Sequence, residues 1–564
     1  MTYKPSDEQQ AVIDATAPVI LVLAGAGTGK TTTAAAAARN FLQLADTRRA
    51  ILRRQAVLAG RRTRLPAQAR VLFLSFSRTA VTQVIDRAAG VIGPHLSRID
   101  ISTFHGFAWR IINDFGQHHG YPGPQQILSI AEAKVPGGEP GLTYDQLMPA
   151  ASTLLRIPEI AGHYAARYGL VICDEFQDTD DTEWAFLQLI APQARRMFLG
   201  DLNQAIFTAM KNTDPARRTA LAEALPGAIT LPLPAASHRD PTGILPAAAD
   251  AARVRNFDHP AIGEAVRTGR LTVTRCTPGD YNERVIELIR AARTRQHTVN
   301  IFTHTISATG LLSDTLANQG IPHEQVGFTE AYGEAIAAQH ALLRFALNIP
   351  GTKVRRALAV YIAANTRVKG GGLAPLAQQM LDKSNPALEA ALHPLAAELH
   401  QTGAAGGSEY DQLADLIAGA YSRVGMFRGE ETWAAAIPQT RAAIRQLQGG
   451  APYADVAETL TAARAGALVG AGNQRPRPIQ VMNLHQTKGR EADTIILLLQ
   501  EDEYHGGEGE PFTAGSKLLY VVMTRARQQA HIIVPTAPHP LWRPLVDRCE
   551  NEGEPADILP ILTG

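Results

Sequence analysis

Residues able to handle a phosphate chain are concentrated near the start of the sequence. Ala24-Gly25-Ala26-Gly27-Thr28-Gly29-Lys30-Thr31 matches a P-loop, with Ala24 where the pattern usually begins with glycine. Glycines in such a run let backbone N–H groups turn inward around phosphate oxygens, and a helix opening at Thr32 adds its positive dipole end. Lys30 is then the side chain that reaches the β- and γ-phosphates, and the Thr31 hydroxyl is a ligand for Mg²⁺.

Two further segments supply what phosphoryl chemistry needs beyond binding. The apolar run Leu170–Cys173 delivers Asp174-Glu175-Phe176-Gln177-Asp178. Adjacent carboxylates at a strand end suit a magnesium ligand, Asp174, followed by a base that orients and deprotonates water, Glu175. Met197–Leu199 leads into Gly200-Asp201-Leu202-Asn203-Gln204, where the Gln204 amide both donates and accepts and so suits a sensor of the γ-phosphate and the attacking water.

These groups must be placed by a scaffold, and its outline is readable. Short apolar runs recur at Val19–Leu23, Val71–Leu74, Leu170–Cys173, Met197–Leu199 and Ile229–Leu233. A second set follows at Leu271–Thr274, Val299–Phe302, Ile479–Leu484, Thr494–Leu499 and Ile532–Val534. Continuous runs of this length suit strands buried on both faces, and helical stretches such as Thr33–Leu44 and Glu283–Arg293 lie between them. The pattern predicts an α/β protein with two parallel sheets, whose ligands sit at the carboxyl ends of the strands. Residues 110–164 and the Ala-rich 350–474 break the alternation and read as mainly helical insertions.

Composition narrows the setting. The 564 residues are 45% hydrophobic and 19% charged, enough for several cores. A net charge of +1 excludes binding of nucleic acid by bulk charge, so any such contact needs a local groove. Cys173, Cys276 and Cys549 lack metal or cluster spacing and fit a reduced, cytoplasmic setting. No signal-peptide pattern opens the sequence, and no apolar stretch approaches the ~18 residues of a membrane span.

Taken in order, the motifs resemble those of the UvrD/Rep-like helicases, branch A of superfamily 1. Ser6-Asp7-Glu8-Gln9 is similar to the Q motif, with Gln10 as the neighbouring candidate. Leu74–Ala80 resembles motif Ia, Ser102–Phe107 motif Ib, Asp174–Thr179 motif II and Gly200–Phe207 motif III. Ser237–Asp240 resembles motif IV, Leu484–Glu491 motif V and Tyr520–Ala526 motif VI. The resemblance implies two RecA-like P-loop domains, 1A (1–104 and 163–232) and 2A (233–348 and 474–564). The insertions become 1B (105–162) and 2B (349–473). It further implies that Arg239 and Arg525 act as arginine fingers with Lys30, Glu175 and Gln204. Gln9, Thr32, His238 and Glu491 would join residues 24–31 around base and ribose. Phe76, Ser77, Thr103, Phe104, His105, Phe207, His485 and Thr487 would form the DNA track.

The activity so implied is ATP- and Mg²⁺-dependent 3′-to-5′ translocation on single-stranded DNA with duplex unwinding. The alternative is a DNA-dependent ATPase subunit that senses DNA or remodels nucleoprotein without unwinding. Partners would be single-stranded or tailed duplex DNA and a protein such as a nuclease or a repair or defence subunit, with no membrane.

The sequence also departs from the family. Thr32 replaces an arginine that stacks on adenine, His238 replaces a tyrosine, Arg78 replaces an asparagine, and Ala209 stands where an aromatic residue separates bases. Seven arginines between Arg48 and Arg64 suit a phosphate contact or a solvated helical face.

Overall fold

The computed structural model describes residues 4–59, 67–75, 89–122, 126–138, 140–205, 214–234, 237–326, 329–366, 368, 372–405, 409–426, 428–469, 477–487, 489–500 and 508–552. These form two compact units, one of residues 1–108, 148–305 and 482–564, the other of 109–147 and 306–481.

The first unit carries the expected parallel sheets. Strands β1 (Val19–Leu23), β2 (Arg70–Ser75), β3 (Ile99–Thr103), β4 (Tyr168–Cys173), β5 (Arg195–Gly200) and β6 (Ala228–Pro232) form one sheet, ordered β3-β2-β4-β5-β1-β6. Every described neighbour pair is parallel; β1 registers Leu23 against Gly200 of β5 and Pro232 of β6. The strand ends named from sequence therefore emerge side by side, because β4, β5 and β1 are adjacent. Helix α1 (Asp7–Asp14) starts with a Ser6–Gln9 capping box, and α2 (Lys30–Leu58) follows the P-loop.

Ala34, Ala35, Ala37, Ala38 and Leu42 of α2 pack with Ile20, Val22, Phe73 and Ile172 into the sheet's core. The helix runs well past the predicted Leu44. Its distal half, with Arg48, Arg53 and Arg54 exposed, has no glycine or proline to stop it. Arg61, Arg62 and Arg64 lie outside the described residues.

The second set of strands comprises β7 (Leu271–Cys276), β8 (Val299–Thr303), β9 (Glu324–Gln325), β10 (Ile479–Asn483), β11 (Ala492–Leu498) and β12 (Ala526–Pro535). In the first unit β8-β11-β12-β7 are parallel neighbours. β8 is buried throughout, and six consecutive residues of β12 are buried, as the apolar runs require.

The second unit is mainly helical, with the short parallel pair β9–β10 and the two-residue strands Ile127–Leu128 and Leu142–Thr143. Helices Thr329–Ala346, Val354–Asn365, Pro386–Ala405, Tyr410–Val424 and Glu430–Gln448 enclose a core centred on Trp433, Leu343 and Tyr361. Segment 109–147 joins this unit through charge. Arg464 reaches Glu334 at 2.7 Å and pairs with Glu132, which also faces Arg356 at 3.3 Å, and the Ala131 N–H donates to Glu330 at 2.7 Å. Among the described residues no helix is long and apolar enough to cross a membrane, and the three cysteines are buried and unbridged.

Candidate nucleotide-binding and catalytic site

The P-loop is shaped by what surrounds it. Gly27 and Gly29 have φ of 75° and 87°, a region open to glycine at little cost. A Cβ on Gly27 would lie 2.3 Å from the Ser237 hydroxyl; one on Gly29 would meet Gln9 at 3.0 Å and His238 at 3.4 Å. The loop is thus gripped by α1 on one side and by segment 237–239 on the other, where His238 N–H donates to Gly27 O at 2.8 Å. Gly29 caps α2 without a side chain, so the first N–H groups of that helix point into the site uncapped by any side chain. Lys30 Nζ donates to the Ala24 and Gly25 carbonyls, each at 2.8 Å, and stands 3.9 Å from Asp201 Oδ2.

The ends of β4 and β5 complete one wall. Asp174 is buried, and Thr31 Oγ1 donates to its Oδ2 at 3.4 Å. Burial, then the neighbouring Glu175 charge, pushes the Asp174 carboxyl above the usual range, while Lys30 pulls it down. Glu175 holds a left-handed backbone, φ 54° and ψ 41°. A buried carboxylate facing a threonine hydroxyl at the start of a P-loop helix fits Mg²⁺, which typically takes one or two protein oxygens and completes its shell from water and phosphates. Among the described residues no cluster of three His, Cys, Asp or Glu forms an all-protein metal cage.

The other wall comes from the second sheet and its helix Thr513–Met523. Arg525, 2% exposed, donates through Nε to Val521 O at 3.0 Å and through its terminal nitrogen to Gln204 Oε1. Gln204 in turn donates to Asp201 Oδ2 at 2.6 Å. Arg239 Nε meets Glu491 Oε2 at 2.6 Å, and its guanidinium also donates to Thr524 O. Lys30, Asp174, Glu175, Gln204, Arg239, Glu491 and Arg525 all line one cavity of about 490 Å³, together with Gln9, Thr32 and His238.

Three contributors escaped the sequence reading. Arg527 lines the cavity and holds Glu491 Oε1 at 2.8 Å, so Glu491 sits between two guanidiniums. The Tyr520 hydroxyl accepts from the P-loop Ala26 N–H at 3.3 Å, and burial pushes its pKa up to about 12. Gln177, 1% exposed, contacts Glu175. Gln177 and Tyr520 lie inside motifs II and VI and Arg527 directly follows motif VI, and only that placement could have drawn attention to them.

The residues expected along a nucleic acid are described only in part. Phe76, Ser77 and Phe207 lie outside the described residues, as does Lys488, and of His485 only the backbone is described. Thr103 caps the next helix by accepting from Gly106 N–H at 3.0 Å. Phe104 is 2% exposed and Thr487 fully buried, so neither presents a face to a base as placed; His105 is half-buried. Arg78 and Ala209 also lie outside the described residues.

A P-loop, two carboxylate-bearing strand ends and arginines from a second parallel sheet around one cavity define a nucleoside-triphosphate-binding protein of the two-sheet P-loop class. Residues 8–210 match the family model described as an AAA domain. Proteins named DNA helicase II from Salmonella typhimurium (strain LT2) and Escherichia coli (strain K12) are each 24% identical, covering 36% of this chain and 34% of the relative. The chain thus spans about a third of the length of the curated relatives it matches. A solved structure titled "S. cerevisiae Dbp5 bound to RNA and ADP BeF3" covers 98% of this chain and 88% of its own, at 9% identity and a TM-score of 0.38, a likeness too weak to carry anything further. Together with the ordered motif series, these matches make the chain similar to the UvrD/Rep-like helicases.

Proposed function

We propose that the chain is an ATP-driven motor that moves 3′ to 5′ along single-stranded DNA and separates duplex ahead of it. The observation that supports this most directly is the single cavity lined by Lys30, Glu175 and Gln204 from the first sheet's strand ends and by Arg239, Glu491 and Arg525 from the second sheet's side. A nucleotide there would touch both sheets, so gaining and losing its γ-phosphate would change how firmly they are held together.

The residues divide the work. Lys30 moves from its carbonyl partners to the β- and γ-phosphates. Glu175 takes the proton of the attacking water, which Gln204 orients. Arg239 and Arg525 neutralise charge developing on the γ-phosphate. Mg²⁺, held by Thr31 and Asp174, would supply charge neutralisation at the phosphates. Gln9, Thr32 and His238 would border the base, and Glu491 would reach the ribose by giving up Arg239 or Arg527. Phe76, Ser77, Thr103, Phe104, His105, Phe207, His485 and Thr487 remain the proposed DNA track; Phe104 and Thr487 would need to emerge from their buried positions to serve it.

The test is ATP turnover with and without oligo-dT, beside strand displacement on duplexes carrying 3′ or 5′ tails. The expected result is strong stimulation by DNA and displacement from the 3′ tail. Turnover indifferent to DNA would overturn the motor reading. Stimulation without displacement from either tail would leave a DNA-dependent ATPase that remodels or senses.

A further inference from the structure

Two residues beyond Glu175, Gln177 is enclosed between the ends of β4 and β5. We propose that Gln177 is a positioning residue: its amide aims the Glu175 carboxylate and ties it to the hydrogen-bond line that seats Arg525. The proposal rests on the ATPase reading above and deepens it.

The amide's orientation is dictated by its neighbours. Gln177 Nε2 lies 2.6 Å from Glu175 Oε2 and 3.3 Å from Asp178 Oδ2, both acceptors. Gln177 Oε1 lies 3.0 Å from the Asp201 backbone N–H, a donor. Turning the amide over would set oxygen against two carboxylates and N–H against N–H, so only one orientation satisfies all three. Glu175 meanwhile holds a left-handed backbone, a conformation that persists in a non-glycine residue only where surroundings impose it.

From Asp201 the line continues. The Asp201 carboxylate accepts from Gln204, and the Gln204 oxygen accepts from Arg525. Base and finger are therefore joined through Gln177, Asp201 and Gln204, with the step inside Asp201 running from backbone to side chain. Two of the connectors are neutral amides. An amide can orient Glu175 without cancelling the charge a base requires, which a lysine or arginine at 177 would do. The arrival of Arg525 on Gln204 is thereby linked to the orientation of the carboxylate that activates water.

The experiment uses the full chain and the variant Gln177→Met, which keeps length and loses both hydrogen-bonding ends. Steady-state turnover with saturating oligo-dT, fluorescent-ATP affinity and the thermal midpoint are measured. The expected result is a kcat lower by about 10- to 100-fold, the worth of a hydrogen bond to a charged group. KM and nucleotide affinity should hold. The same substitution is then placed in a Glu175→Gln background and followed by single-turnover hydrolysis. There its effect should vanish, because the group it acts through is gone. An equal loss in both backgrounds, a KM or affinity change that accounts for the loss, or wild-type kcat would each overturn the proposal. Should Gln177→Met fail to fold, Gln177→Glu, which keeps the shape but not the donor, is judged by the same criteria. Normal turnover of Glu175→Gln alone would instead defeat the underlying assignment of the base.

Discussion

In the helical unit, half-buried Arg464 lies against Glu334 and Glu132, with Arg356 beside Glu132. Burial works against the Arg464 charge, yet the two carboxylates raise its proton affinity on balance. In the nucleotide cleft, charges of both signs are gathered as closely but kept on neutral partners: Lys30 on two carbonyls, Arg525 on the Gln204 amide, Glu175 on the Gln177 amide. The exceptions are Arg239 and Arg527, both paired with Glu491, and the longer approach of Lys30 to Asp201 at 3.9 Å. Burial depresses the proton affinity of Arg525, with the nearby Glu175 charge opposing it. Opposite charges that satisfy each other hold chain segments together, and removing one strands the rest. Charges parked on dipoles keep their electrostatic work for a ligand, which is how perturbed groups in a cleft mark function.

The comparison can be broken most severely in the cleft. Lys30→Ala should reduce ATP turnover to background, since Lys30 is the side chain the P-loop itself carries to the β- and γ-phosphates; surviving turnover would sever the P-loop from the chemistry. Arg525→Ala and Arg239→Ala should each lower kcat by about 10³-fold, the lower end for an arginine finger, with far less effect on ATP affinity. Turnover unchanged in both would show that the second sheet's arginines do not complete the site. Glu175→Gln should lower kcat by about 10²- to 10⁴-fold while ATP still binds, as a filter-binding assay would record. For the other side of the contrast, Arg464→Met should cost about 3–5 kcal/mol of stability by taking the counter-charge from the buried Glu334 carboxylate. Denaturant unfolding would register that loss, while turnover of the folded protein should stay near wild type. Tyr520→Phe is the gentlest probe: losing one neutral hydrogen bond to Ala26, about 1 kcal/mol, should slow turnover about fivefold and leave the thermal midpoint in place.

What could be read in advance follows burial. β1 and β4 are apolar runs because both faces are covered, and their ends could be located from residue type alone. β3, Ile-Asp-Ile-Ser-Thr, escaped notice because it is an edge strand with alternating character, and its Asp100 faces Arg70, Arg167 and Tyr168. The distal half of α2 escaped because it is largely exposed and so lacks an apolar stripe. In the site, Lys30, Asp174 and Glu175 were legible because local spacing carries their chemistry. The grip of Tyr520 on Ala26 spans 494 residues and that of Gln177 on Asp201 spans 24, and no local pattern encodes either.

The clamp around the P-loop sets limits on how this sequence can drift. Ala24 already stands where the pattern usually has glycine, so the loop's first position admits a methyl group. Positions 27 and 29 do not have that latitude: a methyl there would strike Ser237 or press on Gln9 and His238, in a backbone geometry side chains rarely adopt. Descendants that keep the 237–239 segment in place are therefore bound to keep both glycines, and one that loses either should show compensating change in that segment first.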